Sequence, residues 1–203
     1  MSSPLVAGVV TAVILIGSYG RCFNSCPPSS HNEIADERDE IDVELLGGDP
    51  SHWQTNVFAP SPEDKQPLWG VFSSIEDVSA GKSSDDSISN FHKYSIDWSA
   101  DRIVWGVDGT SVRTISKGKL DAGMLKLATP GSLWACWSRS SEQTRKNGAL
   151  HYPSHPARVQ LGIWDASAPV GTAQWAKGPI DWEKAPERMT AVVKSVAVEC
   201  PNL

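Results

Sequence analysis

The chain has 203 residues, enough for one domain with a substantial core. Its formal net charge of -6 argues against nucleic acid, whose binding needs basic patches. Nine tryptophans outnumber three tyrosines and four phenylalanines, a mix suited to flat apolar ligands such as sugar rings as well as to a core.

In chain order, residues 3–17 come first, "SPLVAGVVTAVILIG". The run matches a leader peptide in length, but it has no basic flank before it and no small-x-small site after it. It is too short to cross a membrane as a helix. Its β-branched residues Val9 to Ile16 predict a buried strand. Residues 17–37 are polar and rich in Pro and Ser, and predict a loop that holds Cys22 and Cys26. The other cysteines are Cys136 and Cys200, so the even count admits two disulfides in any of three connectivities. Zinc is not expected, because Cys22-x3-Cys26 has no second pair at ligand spacing.

The most informative stretch is Arg38 to Pro50, "RDEIDVELLGGDP". Alternate strand residues point to opposite faces, so Glu40, Asp42 and Glu44 share one face and Ile41, Val43 and Leu45 the other. A calcium loop starting at Glu40 fails, since its sixth and twelfth positions are Leu45 and Ser51 rather than Gly and Glu. A solvated acidic face is the plain reading. The chemical reading is glycoside hydrolysis. Glu40 and Glu44 lie about 13 Å apart at their Cα atoms, and their side chains can lean together to about 5 Å, the separation of a retaining pair. Asp42 between them would split the pKa values, leaving one acid and one nucleophile. Arg38 and Asp39 read as solvated charges.

The turn at Gly47-Gly48-Asp49-Pro50, if centred on Asp49, sets Gln54 opposite Glu44 and Asn56 opposite Asp42, in reach of the acids or of sugar hydroxyls. Further strands are expected near 53–58, 91–98, 103–107, 111–115, 158–164 and 190–198, beside 8–16 and 40–46. Asp108-Gly109 is the strongest hairpin signal. Residues 129–148 read as a second irregular insertion. Short strands between turn residues make the chain all-β, a sandwich. Trp98, Trp105 and Trp182 read as structural, and so does His92.

These residues also carry a resemblance. "DEIDVELLGG" resembles the Glu-Ile-Asp-x-Glu signature of glycoside hydrolase family 16. "QTNVF" at 54–58 and "FHKYSIDWSADRIVWGVDG" at 91–109 are similar to the strands that follow in that family. "YPSHPARVQLGIWDASAPVGTAQWAKGPIDW" at 152–182 resembles its fungal cell-wall branch, the chitin–glucan transglycosylases. The matching segments cover most of 40–115 and 150–200. The resemblance implies a concanavalin-like β-jelly roll, with Glu40 as nucleophile, Asp42 assisting and Glu44 as general acid/base. It also implies that Trp164 and Trp175 line the cleft as sugar platforms, with Gln160 and Thr172 as polar contacts on the same segment. The implied protein is a monomer outside the cell or in the wall, acting on polysaccharide without metal or cofactor. β-Glucan hydrolysis by the same acids, or a carbohydrate-binding sandwich without turnover, are the alternatives.

The family has more strands ahead of its signature, including a disulfide-bearing part. Residues 1–203 are therefore expected to form one catalytic domain incomplete at the N-terminus, from a truncated or mis-spliced gene model. Exposed sheet edges and a Cys200 without its usual partner are the expected consequences.

Overall fold

The computed structural model describes residues 1–17, 39–61, 63–64, 72–81, 86–118 and 142–200. Eleven strands and one short helix occur among them. One sheet is antiparallel throughout. Its order is β11 (Ala157–Asp165), β1 (Val9–Gly17), β2 (Glu40–Leu46), β3 (His52–Phe58), β4 (Ser74–Asp77). A second runs β5 (Tyr94–Trp98), β6 (Arg102–Val107), β7 (Thr110–Ser116), β8 (Glu142–Gln143), with only the β7–β8 pair parallel. A small ribbon joins β9 (Arg145–Lys146) to β10 (Ala149–Leu150). The helix, α1 (Val170–Trp175), follows β11.

The core lies between the two sheets and follows from the alternation of β2. Ile41, Val43 and Leu45 are buried with Trp53 and Val57 of β3 against Ile103, Trp105, Val107 and Ile115 of the facing sheet. The indole Nε1 of Trp105 donates to the Asp42 carbonyl oxygen at 3.1 Å, which ties the second sheet to the middle of β2. Leaving either group unpaired there would cost roughly 1–3 kcal/mol. The apolar run at Val9–Gly17 is a central strand, paired with β2 on one side and β11 on the other. At the β2–β3 turn Gly47 runs against the backbone of Pro4 and Val6, where a Cβ would not fit. At the β6–β7 turn Asp108 and Gly109 both take positive φ, 49° and 79°, the type I′ geometry that the Asp-Gly pair predicts.

Several expectations are corrected. Residues 190–198 form no strand: Val192 makes one bridge to Ser2, while Val196 and Val198 are exposed. Apolar alternation makes a strand only where the segment is laid along a partner edge, and among the described residues this one meets a partner only at the Ser2 bridge. β4 is not among the expected strands, because three of the four residues of "SIED" are polar and the run is too short to show an alternation. The irregular insertion expected at 129–148 holds β8 and β9 in its described part, and the rest of it lies outside the described residues. So do positions 18–37 of the expected loop, with Cys22, Cys26, Cys136 and Arg38. Cys200 is exposed and free. Trp105 is core and Trp98 packs against it, but Trp182 is 64% exposed and has no part in that core.

Candidate active site

The site is built on the face of the five-stranded sheet that points away from the core. Register sets its rows. Gln160, Ile14, Asp42 and Asn56 lie in one row across β11, β1, β2 and β3. Gly162, Ala12, Glu44 and Gln54 form the next. Arg158, Ile16, Glu40 and Phe58 form the row on the other side. Gln54 is thus opposite Glu44 and Asn56 opposite Asp42, the pairing that a turn centred on Asp49 requires. The three acids share a face because the opposite one is fully spent on Ile41, Val43 and Leu45.

Crowding of the acids in a half-dry place alters each of them. Asp42 is almost fully buried, and burial first, then the charges of Glu40 and Glu44, hold its pKa well above the usual carboxylate range, while a hydrogen bond from Asn56 opposes this. Its Oδ1 is buried without a partner among the described residues, which also favours the neutral acid. Glu40 is raised by burial, and its hydrogen bond with Asp42 pulls it back down. The same bond raises Asp42, so it favours the proton on Asp42 over Glu40. Glu44 is raised by burial and then by the Glu40 charge, to about 7. Of the bonded pair Glu40 is thus the one favoured as carboxylate, and in mildly acidic water Glu44 keeps its proton.

The aromatic part is anchored separately. Val10 and Leu46 continue the acid-bearing face past Glu44 and pack with Ala166, Ala176 and Trp175. Backbone bonds from Ala166 to Gly8 and from Gly8 to Ala176 fix the segment around α1 to the start of β1. Trp175 then stacks on Trp164, with centroids 6.0 Å apart and planes 23° from parallel. Its Nε1 donates to Gln54 Oε1 at 2.8 Å. Trp164 is 41% exposed, so its outer face is open, whereas Trp175 spends one face and its N–H on protein. Gln54 is buried, and its amide carbonyl is spent on this indole rather than on solvent. Gln160 is exposed on β11, two strands from Asp42, and Thr172 is half-buried on α1. No group of three or more His, Cys, Asp or Glu among the described residues is arranged for a metal ion.

Two residues were misread or missed. Asp39 is buried rather than solvated, and its Oδ2 accepts from the Ser154 N–H at 2.7 Å, the His155 N–H at 3.0 Å and His155 Nδ1 at 2.7 Å. Arg158 stands in the row of Glu40, exposed at the sheet edge. Only parity within β11 would have flagged it, once the register with β1 was known. His92 is structural: it is buried, bonded to Asp108 at 2.7 Å and to the Ser87 carbonyl at 3.1 Å.

Fold and site together define a class, an antiparallel sandwich with a glycosidase-type set of carboxylates on one strand. The chain belongs to the glycosyl hydrolases family 16, whose family model matches residues 1–145. Its two packed sheets are the jelly roll of that family. It is 30% identical over 201 residues to Crh-like protein 2 of Aspergillus fumigatus, covering 96% of this chain and 34% of the relative. It is 30% identical to Crh-like protein CRH11 of Candida albicans, covering 92% of this chain and 32% of that protein. Among solved structures it is similar to a Crh5 transglycosylase in complex with NAG, at 25% identity and a TM-score of 0.55, over 91% of this chain and 55% of that one. The chain spans about a third of the length of these curated relatives. Among the described residues no helix is long and apolar enough to cross a membrane.

Proposed function

We propose that residues 1–203 belong to one catalytic domain of a retaining transglycosylase that acts on cell-wall polysaccharide, with chitin and β-glucan as donor and acceptor. The observation that carries this reading is the set of three acids on one face of β2, crowded and buried so that Glu44 is raised to about 7 and Asp42 well above the usual carboxylate range, while the Asp42 bond favours the charge on Glu40. In the first half-reaction a Glu40 oxygen attacks the anomeric carbon. The bond to the leaving oxygen breaks, and that oxygen takes the proton of Glu44, giving a glycosyl ester on Glu40. In the second half, Glu44 as carboxylate takes the proton of an incoming hydroxyl, whose oxygen displaces Glu40. Water gives hydrolysis and a sugar hydroxyl gives transfer.

The position of the tryptophans supports transfer. Trp164 lies two residues along the strand direction from the Glu44 row, roughly 7 Å, and six from the Glu40 row, roughly 20 Å. A sugar resting on its open face is therefore nearer the acid/base, where the acceptor hydroxyl must be activated. The Trp175–Gln54 bond fixes that platform to the residue facing Glu44. Asn56 holds Asp42, and Gln160 and Thr172 supply polar groups to the sugar on the β11 side. Such substrates lie outside the cell or in its wall, and the proposal puts the protein there. The similarity to Crh-like proteins, and to a Crh5 transglycosylase in complex with NAG, supports the reading.

The test is product analysis with a chitin oligosaccharide donor and a fluorescent β-glucan oligosaccharide acceptor. Labelled products longer than the acceptor are expected, together with a covalent adduct on Glu40 in intact-mass spectra of a slowly turning-over substrate. Shortened donor without labelled product would leave a hydrolase. Binding without any cleavage would leave a carbohydrate-binding sandwich.

A further inference from the structure

We propose that the segment at residues 151–155 is a strap that positions the nucleophile, and that Asp39 is the positioning residue through which it acts. This rests on the reading of Glu40 as nucleophile. Glu40 is the first residue of β2, so it stands at the end of a strand, where pairing frays most easily. Its only ladder partners are Ile16 and Phe58. The residue next to each of these is held. The Gly17 N–H donates to the Asp39 carbonyl at 2.7 Å, extending the β1–β2 ladder one step past Glu40. Ala59, after Phe58, accepts from His151 Nδ1 at 2.8 Å.

The strap is itself anchored at three places. His151 is buried and bonds Ala59 and Asp64. The Tyr152 hydroxyl donates to the Ser99 carbonyl of the facing sheet at 2.7 Å. Ser154 and His155 donate to Asp39. One oxygen of a buried carboxylate thus takes three donors, two of them main-chain amides. Such charge-assisted bonds are about twice as strong as neutral ones. The side chain of Asp39 points away from the acid face, since Glu40 points into it, so it acts on the backbone of β2 and touches no sugar. Without the clamp, Glu40 can drift from the Asp42 bond that favours its charged form. A displacement of about 1 Å at a reacting group costs about 100-fold in rate.

The experiment compares the full chain with its D39A and D39N variants in the donor–acceptor assay, across pH. For D39A, kcat is expected to fall about 10- to 100-fold. KM and the ratio of transfer to hydrolysis are expected to stay within about twofold, since both are set by groups away from Asp39. The acid limb of the kcat/KM profile is expected to move to higher pH, because a loosened Glu40 loses the bond that favours its charge. A lower fraction of folded enzyme would reduce kcat but would not move that limb. D39N keeps an acceptor for the main-chain donors and loses only the charge, so a roughly threefold loss of kcat with a smaller movement of the limb is expected. An unmoved limb in a folded D39A protein overturns the proposal. If D39A does not fold, a D39N protein equal to wild type in kcat and limb overturns it. Wild-type protein without product, or an E40Q variant as active as wild type, would instead reject the nucleophile assignment.

Discussion

β2 and β11 both present side chains on the acid-bearing face of one sheet, yet their surroundings are opposite. β2 has a neighbour on each side, and every one of its residues is buried or half-buried. β11 pairs only with β1, and every one of its residues is exposed. Even Val159, Leu161 and Ile163, which point toward the core side, are 36–45% exposed and lie outside the core that the described residues form between the sheets. The contrast is chemical. Acids that must differ in protonation need a dry, fixed place, and β2 gives it. The side chains proposed to grip a sugar need access, and β11 gives that at the expense of an open apolar edge.

The comparison breaks hardest at Glu40. The E40Q variant should lose transfer and hydrolysis by roughly 1000-fold or more while still binding glycan, read as initial rates beside tryptophan fluorescence titration. E44Q should cost about 100- to 10,000-fold with natural leaving groups, and less with an activated aryl glycoside that needs no proton. Wild-type activity should decline as pH rises past about 7, where Glu44 loses the proton it must donate. The same group sets a stability trend. A carboxyl whose folded pKa is raised binds more protons folded than unfolded between the two values. Stability from Glu44 is therefore greatest below about 4.5 and falls as pH rises through about 7. In E44Q that decline in melting temperature should flatten, as thermal melts at several pH values would reveal.

Smaller effects should follow farther out. Asn56→Ala should lower kcat about 10-fold, with a stability loss near 1 kcal/mol in denaturant melts, since it removes a bond to Asp42. Trp164→Ala should raise KM about 10-fold and shift the balance toward hydrolysis, with a smaller effect on melting temperature than loss of a core ring, because Trp164 is 41% exposed. Leu161→Lys, on β11 and away from the acid face, should leave turnover within about twofold and reduce self-association in light scattering. If Leu161→Lys harmed turnover as much as Trp164→Ala, the distinction between the two faces of β11 would fail.

The alternation in "EIDVELL" already determined that the three acids share a face and the three aliphatics another, since that follows from strand geometry alone. The Gly-Gly-Asp-Pro turn likewise determined the Gln54 and Asn56 register, and Asp108-Gly109 its hairpin. Tertiary structure decided the rest. Nothing local distinguishes Asp39 from a solvated charge until residues 154–155, more than a hundred positions away, bring their amides to it. "AVVKSVAV" has a strand's composition, but pairing is a property of two segments, and the described residues give it one bridge. Trp164 and Trp175 form one stacked unit, with the N–H of Trp175 on Gln54, because Val10 and Leu46 hold α1 against the sheet. The unequal pKa values of the acids depend on burial, which the facing sheet and the crowding of the row supply and no window of sequence contains.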